Sequence, residues 1–86
     1  MKITLADLDY NGITINQQFM KIQEEKQELK AELFGYGYLN QSHDRAVEEA
    51  FDLIQSVAGM LVILGVDIEA ANRKHLEKMK GKVIGK

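Results

Sequence analysis

The sequence contains no cysteine, no proline and no tryptophan. Without cysteine there are neither disulfides nor thiolate chemistry, and a reducing cytoplasm is the expected setting. Without proline nothing interrupts the backbone hydrogen bonding of a long helix. Charge of one sign is also scarce: the formal net charge is −2, so the overall balance does not direct the chain to nucleic acid or to an anionic membrane. The most apolar run, VAGMLVILGV at 57–66, is about half of the roughly 20 residues that span a bilayer, which makes it a buried helix segment. The first residues carry one early lysine and no apolar block behind it, so no secretory leader is expected.

What is present is 86 residues of mostly helical pattern, the size of a single domain over 1–86 with a modest core of its own. Residues 1–13 are ambiguous. Thr4 and Asp7 resemble a capping box, Asn11-Gly12 is a hairpin signal, and a short helix or an irregular lead-in is expected. From about Thr14 to Phe34 the pattern is helical, with Ile15, Phe19, Ile22, Leu29 and Leu33 in one stripe broken by Lys26. A loop over Gly35-Tyr36-Gly37-Tyr38 ends near Ser42, a capping residue for a second helix over about 43–64 that Gly65 closes.

That second helix has a main stripe through Val47, Ala50, Phe51, Ile54, Ala58 and Leu61, and another through Leu53, Met60, Ile63 and Leu64. A helix apolar on nearly every side in so short a chain calls for a partner subunit. Asp67 caps a third helix that continues through Ile68, Ala71 and Met79 to Gly81, and residues 78–86 form a basic, fraying tail. Short connections favour antiparallel neighbours, so the expected fold is all-α: an antiparallel helical bundle completed by homo-oligomerisation.

The chemistry lies in two acidic segments. Glu24-Glu25-Lys26-Gln27-Glu28 sits in the first helix and Glu48-Glu49-Ala50-Phe51-Asp52 in the second. Residues three apart share a helix face, so Glu25 with Glu28, and Glu49 with Asp52, each present two carboxylates together. Glu25 falls at the edge of the apolar stripe and Glu28 further round. The line through Glu49 and Asp52 continues to Ser56, Met60 and Ile63, so that face meets protein. If the helices are antiparallel neighbours the four acids converge, and their repulsion requires a cation. Hard oxygen ligands without cysteine or a histidine pair favour Mg²⁺, with Mn²⁺ able to replace it.

EExxE alone is also ordinary helix surface, with Lys21, Lys26 and Lys30 at hand to pair with the acids. The second acidic set, inside an apolar helix, is what favours a site. His43 and His75 lack a partner at metal-ligand spacing and read as surface residues. Tyr36 and Tyr38 are either a lid that stacks on a base or loop residues packed on the bundle end.

EExxE, twenty intervening residues and ExxD together resemble the MazG-like family of all-α nucleoside triphosphate pyrophosphohydrolases. Ala71-Asn72-Arg73-Lys74 with Lys78 looks like that family's late-helix basic segment. The resemblance implies that Glu25, Glu28, Glu49 and Asp52 hold Mg²⁺ and that Glu24 orients or deprotonates water. It further implies that Lys74 and Lys78, with Asn72, hold a triphosphate, and that the assembly is a dimer or tetramer. The implied reaction converts a (d)NTP and water to a (d)NMP and pyrophosphate. The alternative is a non-catalytic helical oligomer, either a scaffold or a degenerate relative that binds nucleotides.

Overall fold

The computed structural model describes residues 1–35 and 43–82; the Tyr36 and Tyr38 loop, the Ser42 cap and the end of the basic tail lie outside them. The described residues form three helices, α1 (Ile15–Phe34), α2 (His43–Ile63) and α3 (Ile68–Lys80), and no strand.

The capping box lies at Thr14–Gln17 and not at Thr4–Asp7. The Thr14 hydroxyl accepts from the Gln17 amide at 3.0 Å, and the Gln17 side chain accepts from the Thr14 amide at 2.9 Å. Two of the helix's unpaired amides are thereby satisfied, and TINQ, with glutamine at the third position, fits that motif better than TLAD. The Asn11-Gly12 signal makes a turn closed by Ile13 N–H to Tyr10 C=O at 3.1 Å, but no strands flank it. It delivers the chain to the helix cap instead of forming a hairpin.

α1 and α2 pack antiparallel: Gln18, early in α1, bonds to Ser56 late in α2, and Glu32, late in α1, faces Arg45 early in α2. The four-residue connection to α3 does not give a third antiparallel neighbour. Gly65, at φ +71°, bonds back to Val62 C=O at 3.0 Å, and Val66 bonds back to Leu61 C=O at 3.4 Å. This Schellman closure needs a left-handed residue, which glycine supplies without a Cβ clash. The chain then bends by 118° into α3, whose Asp67 cap accepts from Ala70 N–H at 3.1 Å. Among the described residues α3 packs substantially against neither other helix, so the bundle within one chain is a pair with an arm.

The pair meets on faces the apolar stripes define in part: Ile22 and Leu29 of α1 and Leu53, Met60 and Ile63 of α2 are half-buried, and the Glu49–Ser56–Met60–Ile63 line meets protein as expected. Gln18, Glu25 and Ser56 are buried, along with Gly59, while no hydrophobic side chain is buried among the described residues. Ile15, Phe19 and Leu33 of α1 and Val47, Phe51, Ile54 and Leu61 of α2 are exposed. The accessible surface is 7435 Å², against roughly 5,100 Å² for a folded monomer of this mass. The radius of gyration is 15.4 Å, where about 12 Å is typical of a compact chain of this length. No single described helix is long and apolar enough to cross a membrane.

Candidate metal centre

Three carboxylates converge where α1 crosses the middle of α2. One oxygen from each of Glu25, Glu49 and Asp52 lies within 4.8 Å of the others. Burial is graded across the three, from Glu25, 5% exposed, through half-buried Glu49 to exposed Asp52. The cluster is therefore anchored in the helix interface and open on the Asp52 side. Glu25 Oε2 and Glu49 Oε2 are buried with no hydrogen-bond partner. Buried carboxylate oxygens without donors are costly, and a hard divalent cation is the ligand that an all-oxygen set of this kind satisfies.

Glu28 joins the group through Glu49. Glu49 is held above its ordinary value of 4.5, first by desolvation, then by its interaction with Glu28 and by the charges of Glu28, Asp52 and Glu25. All four acids implied as ligands thus lie in one neighbourhood, and the edge position expected of Glu25 is corrected to a buried one.

Glu24 is exposed on α1 and is not among the converging carboxylates. Lys74 and Lys78 are exposed on α3, away from the α1–α2 pair. Asn72 lines an apolar hollow of about 360 Å³ in the bend between α2 and α3, with Leu61, Ile68 and His75. His43 and His75 are exposed, as expected.

Lys21 was expected to pair with the acids and does, whereas Gln18, Glu32 and Gln55 around the cluster were not singled out in the sequence. Lys21 pairs with Glu25, Nζ to Oε1 at 2.9 Å, and stays half-exposed. Gln18 donates from Nε2 to the Ser56 carbonyl at 2.7 Å in the buried interface. Glu32 has one oxygen 3.8 Å from Arg45 and its other oxygen buried without a partner. Gln18, Glu25 and Glu32 are seven apart, the spacing that keeps one side of a helix against a neighbour. That periodicity was visible, but only to a search for polar repeats.

The N-terminal segment closes one flank. Gln55 grips its backbone at both ends of the side-chain amide, Oε1 accepting from Ala6 N–H at 2.9 Å and Nε2 donating to Ala6 C=O at 3.0 Å. Nε2 also reaches the Tyr10 hydroxyl at 3.2 Å. The Tyr10 ring lies on α2 at Gly59, where a Cβ would come within 2.5 Å of the ring, so a glycine in mid-helix is explained by this contact. Between this flank and the carboxylates is a cavity of about 290 Å³, with Tyr10, Gln18, Lys21, Glu25 and Asp52 in its wall.

Compared with protein-family models, curated proteins and solved structures, the chain has no match in any of the three. The MazG-like resemblance therefore rests on the two acidic motifs, their spacing and the basic segment of α3.

Proposed function

We propose that this chain is a Mg²⁺-dependent nucleoside triphosphate pyrophosphohydrolase that works as a homo-oligomer, with Mn²⁺ able to replace Mg²⁺. The observation that carries the reading is the convergence of Glu25, Glu49 and Asp52 from two helices, with two of their oxygens buried and unpartnered. A water oxygen attacks the α-phosphorus, the bond from that phosphorus to the α–β bridging oxygen breaks, and pyrophosphate leaves with the bridging oxygen. A bound divalent ion supplies acidification of water and neutralisation of phosphate charge.

The residues of the chain divide the remaining tasks. Glu25, fixed by burial and by Lys21, offers a preset ligand oxygen, and Asp52 offers one at the solvent side. Glu49 offers a third ligand oxygen in its ionised form, which its neighbours' charges disfavour until a cation offsets them. Glu24 is the proposed water-orienting group, exposed beside the cluster. Lys74, Lys78 and Asn72 lie on the α3 arm, so in this reading they reach a triphosphate from a second copy of the chain.

The excess surface supports that second copy. It amounts to about 2,300 Å² per chain, the scale of an obligate interface. The exposed side chains Val47, Phe51, Ile54 and Leu61 lie along one side of α2. Two or four chains satisfy the argument equally.

The decisive assay incubates the purified protein with a panel of canonical and modified (d)NTPs, with Mg²⁺, with Mn²⁺ or with EDTA, and measures pyrophosphate against orthophosphate. Metal-dependent pyrophosphate is the expected product. Its absence from every nucleotide favours the non-catalytic oligomer, and orthophosphate as the main product indicates a different phosphohydrolase.

A further inference from the structure

We propose that Lys21 is the anion-holding residue of the carboxylate site, its ammonium taking a phosphate oxygen of a polyphosphate seated in the cavity beside the cluster. This deepens the pyrophosphohydrolase reading and rests on it.

A site of this kind has a charge problem. The three converging carboxylates outweigh one divalent ion by a unit charge, so the ion alone leaves the pocket hostile to a polyphosphate. A further cation within the same cavity is required. Lys21 stands in the cavity wall with Glu25 and Asp52, whereas Lys74 and Lys78 are on an arm that does not pack on this helix pair.

The ammonium is also free to act. It carries three N–H donors, and the Glu25 Oε1 contact at 2.9 Å uses one. Its side chain retains 52% of its exposure while that of its partner Glu25 retains 7%. Glu25 gives Oε1 to the lysine and keeps Oε2 buried without a hydrogen-bond partner. A cation can occupy the cluster without displacing the lysine.

The test measures Mn²⁺ binding by titration calorimetry, then binding of inorganic pyrophosphate to the Mn²⁺-loaded protein, for the natural chain, Lys21→Ala and Lys21→Arg. For Lys21→Ala, pyrophosphate affinity is expected to fall by about tenfold or more, the effect of a lost charged hydrogen bond. Mn²⁺ affinity should hold or rise, because a nearby positive charge has gone. Lys21→Arg should keep pyrophosphate affinity within about threefold, since the charge and donors remain. If Lys21→Ala weakens Mn²⁺ and pyrophosphate in parallel, the lysine only positions Glu25 and the proposal fails. Unchanged pyrophosphate affinity in Lys21→Ala also overturns it. If the natural chain takes Mn²⁺ but no pyrophosphate, the pyrophosphohydrolase reading falls with it.

Discussion

Along α2, the side turned to α1 carries Glu49, Ser56 and Gly59, whereas another side carries Val47, Phe51, Ile54 and Leu61, and it is the second, more apolar side that is left exposed. Leu53, Met60 and Ile63 are half-buried on the first side, where the two helices meet around a glutamine, a serine carbonyl and a set of acids. In the proposed reading, the polar seam serves chemistry within one chain and the apolar side serves contact between chains, and an oligomer would bury the second without disturbing the first.

The sharpest way to break this comparison is to neutralise the polar seam. Glu49→Gln should lower metal-dependent turnover by about a thousandfold or more, several kcal/mol in barrier, while far-UV circular dichroism stays unchanged. The metal-free protein should gain melting temperature, because repulsion within the cluster falls. The pH dependence has a definite sign. Glu49 is raised in the folded chain, so the fold binds the proton more tightly than the unfolded chain does. Metal-free stability is then full below about 4.5, declines as pH rises through the raised folded value, and is lower thereafter. Glu49→Gln should flatten that decline in a series of melts, and an unaltered slope would remove Glu49 from the cluster's proton balance.

The complementary change attacks the apolar side. Phe51→Asp should dissociate the proposed assembly to single chains in size-exclusion chromatography with light scattering, and lower the melting temperature by about 10 °C or more, about 2 kcal/mol for a chain of this size. An assembly of unchanged mass would show that this side of α2 is not the interface.

The smallest effect comes where the two sides of the comparison meet, at Gly59. Gly59→Ala places a methyl group against the Tyr10 ring and should cost about 1 kcal/mol net, overpacking partly offset by better helix propensity. In a Tyr10→Ala background the same change should stabilise by a similar amount. A double-mutant cycle from denaturant melts measures the difference, and a cycle that closes at zero would mean that the ring does not rest on the glycine.

Helix number and limits were legible because they depend on local chemistry. Gly65 and Asp67 acted through their own backbone angles and side chain, and both performed the roles expected of them. The acid pairs were legible for the same reason, since i and i+3 spacing fixes a shared face before any packing. The face that α2 turns to protein was legible in the line from Glu49 through Ser56 to Met60 and Ile63, whereas the polar members of the α1 seam were not. The Ile15, Phe19 and Leu33 stripe suggested one seam for α1, while Gln18 and Glu25 lie in the actual one. A hydrophobic pattern identifies faces that must be covered, but not whether the cover is this chain or another. The position of α3 failed for a related reason: the four-residue connection suited an antiparallel return, and the Schellman closure bends it by 118°. The pairing of Lys21 with an acid was legible from its spacing, but its place in the cavity wall and the role of Gln55 were not, because they depend on three separate segments.

The contact between Tyr10 and Gly59 has an optical consequence. With no tryptophan to dominate emission, the three tyrosines are the chain's only fluorophores of note. Tyr10 stands in the cavity wall with its hydroxyl held by Gln55. Replacing Tyr36 and Tyr38 with phenylalanine leaves Tyr10 as the sole emitter, a built-in dye whose intensity follows what enters beside the carboxylates without any label attached.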